Sequence, residues 1–368
     1  WILSTIDDAK VALGILHRDH DRLEDIDRYI MGDHDDPYIP AEASNEYKLL
    51  AKRSVTNWMP MMISAPAQTL CVENFRPSAT AISAGRQASV YRAAIGYGMS
   101  YVVVETNDDG EPIMRGLSPL RTAMIFDDPA NDIEPIGALY LVRHRRERGD
   151  GSVVLGKAFY WDEVNRYELS IDDGDPRVVA SEPHGMDKVP VTRFAPQVDL
   201  DGRCIGVVEP LKPLNDRFNQ TIMDLLMAQS FTSFEVRTVS GMAPPMKMTK
   251  NEDGELVPVL DESGNPIPDR TVVNAQRWMF AKDPDTKFGT LSAGNLDGFI
   301  SAADMALKHL SAIGQVPPNF MLGQMANLSA EALQSAEMSL SRMAEEYRHT
   351  FGESWERVFR LVAELVGD

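Results

Sequence analysis

The stretch with the most suggestive chemistry is Gly151-Ser-Val-Val-Leu-Gly156-Lys157, which has the glycine and lysine spacing of a nucleotide-binding P-loop. A functional P-loop continues with a serine or threonine that reaches Mg²⁺, and a helix then begins. Here Ala158 follows the lysine, and Phe159-Tyr160-Trp161 favours a strand. A nucleotide-binding enzyme that uses Gly151–Lys157 is therefore an alternative function and not the main one.

No other spacing in the sequence indicates catalysis or metal binding. His17 and His20 lie one helical turn apart, but no third ligand stands at a suitable distance along the chain. Cys71 and Cys204 are far apart and belong to no Cys-x-x-Cys pattern. The sequence contains no G-x-S-x-G, H-E-x-x-H or EF-hand motif. We expect no enzyme activity, no catalytic residues, no metal and no cofactor.

The charge balance limits the possible partners. The chain has 36 basic and 55 acidic residues, a formal net charge of −19, which is the wrong sign for a protein that binds nucleic acid tightly. The one dense basic run, Arg143–Arg148, is interpreted as a strand end that makes salt bridges between subunits, with a nucleic-acid contact as the alternative. No run of 18 apolar residues and no signal peptide are found, so no membrane partner is expected.

The pattern of apolar residues predicts both helices and strands. Helices are predicted at 4–30, at about 45–63 with a kink at Pro60, at about 210–239, and at 329–366 with a relaxed turn at Gly352. Between them, short strands at 101–105, 122–126, 137–145, 152–160, 167–171 and 177–180 predict a mostly antiparallel sheet. Turn signals at 242–293 predict a small β unit between two long helices.

The segment 295–334 combines an amphipathic helix with an apolar loop. Leu296, Phe299, Ile300, Ala303, Leu307, Leu310 and Ile313 follow one helical face, and a polar stripe follows the other: Asp297, Ser301, Asp304, Lys308, Ser311 and Gln315. Gly314 is predicted to cap the helix in a left-handed conformation, and Pro317 and Pro318 then end it. The loop QVPPNFMLGQMANL that follows is too apolar to be bare, which favours a pocket, a partner or a channel.

Several motifs resemble those of a known family. They are Tyr91-Arg-Ala-Ala-Ile-Gly-Tyr-Gly-Met-Ser-Tyr-Val-Val-Val104, Val189-Pro190-Val191, Leu296-Asp-Gly-Phe-Ile300, Val316-Pro-Pro-Asn-Phe-Met-Leu-Gly323, Asn327-Leu-Ser-Ala-Glu-Ala-Leu333 and Phe351-Gly-Glu-Ser-Trp355. The chain resembles the portal proteins of long-tailed bacteriophages, in particular those of phages that infect actinobacteria. The resemblance extends over nearly the whole chain, and residues 296–355 carry its most specific part.

The resemblance implies an α+β portal fold that assembles as a ring. The implied parts are an α/β wing at 1–208, which residues 331–368 rejoin, stem helices at 209–240 and 295–313, a β-containing clip at 241–294 and a tunnel loop at 314–330. The tunnel loop would bring Gln315, Val316, Pro317, Pro318, Asn319, Phe320, Met321, Leu322, Gln324 and Asn327 to a DNA channel. The stem would add Asp297, Ser301, Asp304, Lys308 and Ser311. A crown is expected after residue 368.

The function implied by the resemblance is structural. The ring, of twelve subunits in this family, stands at the capsid vertex of the virion, after assembly in the host cytoplasm. Double-stranded DNA passes through it during packaging and ejection, in transient and non-specific contact. The implied protein partners are the terminase large subunit, the head-to-tail connector, and the major capsid and scaffolding proteins. A head-to-tail connector ring that makes no contact with the motor is a further alternative.

Overall fold

A computed structural model of the chain describes residues 2–40, 45–72, 82–144, 146–147, 153–172, 174–233, 237–240, 246–250, 255–261, 264–267, 287–290, 296–322 and 330–367. Helices and strands are both abundant, so the predicted α+β class is confirmed. The chain forms two compact units. The first is Trp1–Met223 with Phe299–Asp368, and the second is Asp224–Gly298.

The helices and strands follow one another in a fixed order. In the first unit they are α1 (Ile2–Met31), α2 (Asn45–Ser54), α3 (Met59–Ala67), α4 (Ala84–Tyr97), β1 (Ser100–Thr106), β2 (Pro112–Leu117), β3 (Thr122–Ile125), β4 (Gly137–Arg143), β5 (Arg146–Glu147), β6 (Val153–Val154), β7 (Gly156–Trp161), β8 (Asn165–Asp172), β9 (Asp175–Pro183) and β10 (Val191–Phe194). Helix α5 (Val208–Ser233) leaves this unit and α6 (Asp297–Gly314) returns to it, followed by α7 (Pro318–Leu322) and α8 (Ala330–Val366). The second unit contains β11 (Arg237–Ser240), β12 (Met248–Lys250), β13 (Leu256–Pro258) and β14 (Lys287–Thr290).

The strands pair in antiparallel fashion, as predicted. One sheet has the order β10-β1-β2, a second has the order β3-β4-β7-β8-β9, and β5 and β6 form a separate two-stranded ribbon. The sequence Asn-Asp-Asp-Gly at 107–110 forms the turn between β1 and β2. Its Asn107 Oδ1 accepts hydrogen bonds from the backbone N–H groups of Asp109 and Glu111, and Gly110 takes a φ of 82°.

Helix α8 supplies the centre of the largest core. It runs without a break through Gly352, so a continuous helix replaces the expected relaxed turn. Phe351 and Trp355 are buried, and the Trp355 ring lies 4.9 Å from that of Phe194 on β10. The Trp355 indole N–H also donates to the Tyr91 hydroxyl at 2.8 Å, which satisfies its polar atom inside the core.

Helix α1 contributes to two further cores with different parts of its length. Ala9 and Ala12 are fully buried against the five-stranded sheet, where small side chains let helix and sheet approach. Further along, Leu23 joins Tyr101 and Trp161 in a third core. None of the described helices combines the length and the apolar composition that crossing a bilayer requires.

Two predicted helices end differently in the structure. The helix predicted at 45–63 is two helices, α2 and α3, because Pro60 stands in the first turn of α3, where its missing N–H costs nothing. The helix predicted to reach Val239 ends at Ser233. Residues Arg237–Ser240 form β11 instead, since the β-branched Thr238 and Val239 pair with β14.

A buried arginine fastens α8 to the three-stranded sheet. Arg357 is 5% exposed, and its guanidinium donates to the carbonyl oxygens of Val189 (2.9 Å) and Val191 (2.7 Å) and to Thr192 Oγ1 (2.6 Å). Burial is the main influence on this group and lowers its pKa from the usual arginine value. Because the cation is held by three neutral acceptors, the contact depends on geometry and not on an ion pair.

Arg357→Ala should therefore destabilise the protein strongly. The change leaves two buried carbonyl groups and a hydroxyl without a donor, at an expected cost of about 3 kcal/mol in the free energy of unfolding. Arg360→Ala is the matched control on the same helix, since its side chain is 81% exposed and pairs only with Glu356, and it should cost under about 1 kcal/mol. Urea unfolding followed by circular dichroism measures both, and equal midpoints would contradict the assignment.

Candidate functional site

Three polar contacts hold the start of α5 against α1. Arg22 Nη1 lies 3.2 Å from Glu209 Oε2, Lys212 Nζ lies 2.5 Å from Asp25 Oδ2, and the Tyr29 hydroxyl donates to Asp216 Oδ2 at 2.7 Å. Each pair joins residues 187 positions apart, so the two helices run parallel in one register. Burial, followed by the bond to Asp216, raises the pKa of Tyr29, which keeps the phenol protonated as the donor.

A buried polar cluster continues this register beyond the end of α1. His34 Nε2 lies 3.2 Å from the side-chain nitrogen atoms of both Asn215 and Asn219. The Asn219 oxygen accepts a hydrogen bond from the Thr56 backbone N–H at 2.9 Å, so that carboxamide presents its nitrogen to the imidazole. His34 Nε2 is therefore an acceptor. The cluster is 0–7% exposed, and it fixes both the rotation and the height of α5.

The end of α6 packs closely on the start of α5. A Cβ atom at Gly314 would lie 2.8 Å from Met62 Sδ and 3.3 Å from Leu211 Cδ1, so any larger residue would require these two side chains to move. The predicted left-handed C-cap at Gly314 is wrong, because the positive φ belongs to Gln315, at 54°. A polar contact joins the same two helices: Arg217 Nη2 of α5 lies 2.8 Å from His309 Nδ1 of α6.

The predicted polar stripe is exposed over most of α6. Asp297, Ser301, Asp304, Lys308 and Gln315 are exposed, and Lys308 pairs with Asp304 at 2.6 Å. Ser311 does not share this surface. It is 6% exposed, and its hydroxyl donates to the Val316 carbonyl at 2.6 Å, because the chain folds back over it after the helix ends. The acidic groups of the stripe thus outnumber its one cation.

The apolar face of α6 is only partly covered in the structure. Leu307 and Leu310 are buried in the largest core, and Ala303 packs against it. Ile300 and Ile313, predicted to share this face, are 55% and 53% exposed. Exposure of this face is not confined to one end of α6, because Ile300 lies near the start of the helix and Ile313 lies in its last turn.

The segment predicted as an apolar loop is in part a short helix packed on the core. Residues Pro318–Leu322 form α7, and Val316, Pro317 and Met321 are buried, because the apolar core of this same unit covers them. Of the predicted channel residues, Gln315, Pro318 and Phe320 are exposed. For Asn319 and Leu322 the structure describes the backbone, whereas Gln324, Asn327 and Ser329, the predicted start of the last helix, lie outside the described residues.

The P-loop-like stretch does not form a P-loop over its described part. Gly156 and Lys157 begin strand β7, and the residues that follow continue the strand where a P-loop needs a helix. Lys157 Nζ is 2.8 Å from Glu168 Oε1 on the neighbouring strand. Gly151 lies outside the described residues. The nucleotide-binding alternative is therefore not favoured, because its lysine is already paired.

Of the two histidines of α1, His20 has a carboxylate neighbour on the same helix. Its Nε2 lies 3.4 Å from Glu24 Oε2, one turn further along. Within the described part of the chain, no group of three or more histidine, cysteine, aspartate or glutamate side chains is arranged to hold a metal ion.

Along the chain, helices α5 and α6 connect the α+β unit to the small β unit, an order that agrees with the expected portal class. The chain belongs to the phage portal protein family of the SPP1 Gp6-like type, whose family model matches residues 83–368. Family membership confirms the resemblance expected from the motifs.

Two curated relatives have the same description. The portal protein of Mycobacterium phage D29 is 27% identical over 187 residues, and that of Mycobacterium phage L5 is 25% identical over 195 residues. The matches cover 50% and 53% of this chain but 36% and 38% of the relatives, so the chain spans little more than a third of their length. Both are proteins of mycobacteriophages, which agrees with the expected group of phages.

Solved structures with a similar chain come from gene transfer agent particles. One, from the virion of a native particle, has a TM-score of 0.41 and 15% identity over 92% of this chain and 86% of that chain. Another, from the neck of a native particle computed with C12 symmetry, has a TM-score of 0.38 and 15% identity over 81% of this chain and 77% of that chain.

Two neighbouring residues of α7 should respond differently to truncation. Met321→Ala removes a side chain that is 7% exposed and should lower the free energy of unfolding by about 2–3 kcal/mol. Phe320→Ala removes a larger side chain that is 45% exposed and should cost under about 1 kcal/mol. Chemical denaturation of both variants checks this order. A greater loss for Phe320→Ala would show that α7 packs the other way round.

Proposed function

We propose that the chain is the subunit of a portal ring, a structural channel through which double-stranded DNA is packaged into a capsid and later ejected. The observation that carries this proposal is the family model, which spans 83–368 and so includes both long helices, the small β unit and α8. The described geometry supports it, since α5 and α6 both contribute side chains to the largest core.

The polar stripe of α6 suits a channel wall. Asp297 and Asp304 carry negative charge on an exposed helical face, and the only cation of the stripe, Lys308, is paired with Asp304. Each phosphate that a protein neutralises adds affinity and releases counterions, so a basic wall would hold DNA in place. An acidic wall repels the polyanion weakly and lets it slide. In this proposal the wall consists of Asp297, Ser301, Asp304 and Lys308, without the buried Ser311.

The tunnel loop has a rigid base in this proposal. Val316, Pro317 and Met321 are buried, so they anchor the segment and do not face DNA themselves. Gln315, Pro318 and Phe320 are the exposed groups that a passing duplex would meet. Asn319, Leu322, Gln324 and Asn327 complete the proposed loop by sequence. Because these side chains carry no charge, contact with phosphates is weak and independent of base sequence.

The proposed partners follow from this role. Twelve copies of the chain form the ring, and the clip at 241–294 is the proposed contact for the terminase large subunit and the head-to-tail connector. The wing contacts the major capsid and scaffolding proteins. The ring assembles in the host cytoplasm and remains at the capsid vertex of the virion. The chain itself is not an enzyme in this proposal, because the terminase supplies the chemical energy for DNA movement.

The purified chain should form closed rings with a central channel. Negative-stain electron microscopy and multi-angle light scattering at micromolar concentration check this expectation. Lys157→Ala should form the same rings, and neither protein should bind Mg-ATP in a calorimetric titration. Monomers or dimers alone would contradict the proposal. ATP binding that Lys157→Ala abolishes would instead favour the nucleotide-binding enzyme.

Reversing the charge of the stripe should make the ring retain DNA. Asp297→Lys with Asp304→Lys raises the net charge of each subunit by four units, because two negative charges are replaced by two positive ones. Duplex binding should tighten about tenfold or more at low salt. Asp108→Lys with Asp109→Lys makes the same charge change in the β1–β2 turn and is the matched control. Fluorescence anisotropy with assembled rings and labelled duplex measures the affinity. Equal gains in both variants would show that the stripe does not face the channel.

A further inference from the structure

We propose that a cavity of the first unit binds a carboxylate-bearing segment of a second copy of this chain, and that Arg193 is the cation that receives the carboxylate. The cavity has a volume of about 940 Å³ and lies between α1, β3 and the stretch of chain that follows β10. The inference rests on the proposed function, since in a ring every subunit meets another copy of itself.

The walls of the cavity are largely apolar. Leu23 of α1 and Met124 of β3 line it from opposite elements. Val11 and Ile205 line it as well, and they are 50% and 37% exposed, so apolar surface inside the cavity remains open to solvent in the single chain. Apolar walls with a few placed polar groups are typical of binding sites of roughly 300–1,000 Å³. This cavity is therefore large enough to admit several side chains.

One positive charge in the cavity has no counter-ion. Four arginines and three carboxylates line it, a positive balance in a chain with a net charge of −19. Each of the three carboxylates pairs with one arginine: Arg18 with Asp19, Arg22 with Glu209, and Arg203 with Asp201. The fourth arginine is Arg193 of β10, which is partly buried and forms no ion pair with any of the described residues. The cavity thus has room for one further carboxylate.

The Arg193 guanidinium is held in place by neutral groups. It lies 4.3 Å from the centre of the Phe126 ring, and its Nη2 donates to the Pro129 carbonyl at 3.0 Å. A guanidinium has five N–H donors in a planar fork, which matches the two oxygen atoms of a carboxylate. Because the ring and the carbonyl fix the side chain without neutralising it, a carboxylate that enters the cavity meets a cation that is already oriented.

Charge complementarity favours a second copy of the chain as the occupant. With 55 acidic and 36 basic residues, the surface that one subunit presents to the next is rich in carboxylates. Two such surfaces repel each other unless one of them supplies a cation at the contact. In a head-to-tail ring contact the cavity of one subunit faces a different surface of its neighbour. An apolar side chain beside an aspartate or glutamate of that surface would cover Val11 and Ile205 while the carboxylate reaches Arg193.

Photocrosslinking in mixed rings tests the occupant. A ¹⁵N-labelled full chain with Val11→p-benzoylphenylalanine is assembled with an excess of the unlabelled natural chain, so that rings form even if the bulky group weakens its own contact. After irradiation and digestion, mass spectrometry should detect peptides that join a labelled to an unlabelled chain, and the attached segment should contain aspartate or glutamate. Adding Arg193→Gln to the labelled chain should lower the yield of this crosslink severalfold.

Ring assembly tests the role of Arg193 separately. Arg193→Glu should need about tenfold more protein than the natural chain to form rings, because two carboxylates then meet at each contact. Arg177→Glu is the matched control, since it makes the same charge change at an exposed residue of β9 outside the cavity, and it should form rings as the natural chain does. Mass photometry measures assembly, and circular dichroism checks folding. If Arg193→Glu unfolds, Arg193→Gln takes its place and should show a smaller loss.

The outcomes separate this contact from the ring itself. Natural rings whose crosslinks stay within one chain would show that the cavity is empty or takes another ligand. Rings of Arg193→Glu that form as readily as natural rings would show that no carboxylate is received there. Either result would overturn this contact and leave the portal proposal standing. Absence of rings in the natural chain would overturn both.

Discussion

The close contact of Gly314 with Met62 and Leu211 is the constraint on which the two long helices depend. The chain leaves the first unit along α5 and returns along α6, so these two helices connect the second unit to the first. Because Gly314 has no Cβ, the end of α6 can lie directly on Leu211 of α5. The bond between Arg217 and His309 then adds a polar contact between the same helices. Close packing at this point means that any displacement of one helix is transmitted to the other.

Polar contacts add to the apolar packing that anchors α5. Close-packed apolar side chains already resist displacement, and hydrogen bonds with fixed partners add a preference for one register. The pairs Arg22–Glu209, Lys212–Asp25 and Tyr29–Asp216 fix the height of α5 against α1, and the buried His34 cluster fixes its rotation. In the proposed portal ring, a helix fixed in this way would keep its position while DNA moves past it. On the exposed stripe of α6, by contrast, Lys308 forms its ion pair with Asp304 of the same helix.

The parts of the fold that local patterns determine were predictable from the sequence. Helices α1 and α8 follow from apolar periodicity, and the β1–β2 hairpin follows from its Asn-Asp-Asp-Gly turn. The predictions that failed depended on contacts of the folded chain that the pattern of apolar and polar residues does not specify. The residues around Ser311 do not indicate that its hydroxyl donates to the Val316 carbonyl. The apolar residues around Val316 suit a channel loop as well as the core of the subunit, and the structure places Val316 in that core. Likewise, Thr238 and Val239 suit a helix end or a strand, and the pairing with β14 decides between them.

The net negative charge of the chain has opposite effects on the two proposed properties of the ring, passage of DNA and assembly of the subunits. A conduit for DNA should be acidic, but acidic subunits repel one another, and with a net charge of −19 on each copy this repulsion opposes assembly. The repulsion is reduced most effectively when the scarce cations stand where subunits meet, since a screened pair acts only over about 8–10 Å. For the proposed ring, this favours cations at the subunit contacts over cations on the polar stripe of α6, where Lys308 already pairs with Asp304. A ring built in this way would keep an acidic surface toward DNA and still reduce the repulsion between its subunits.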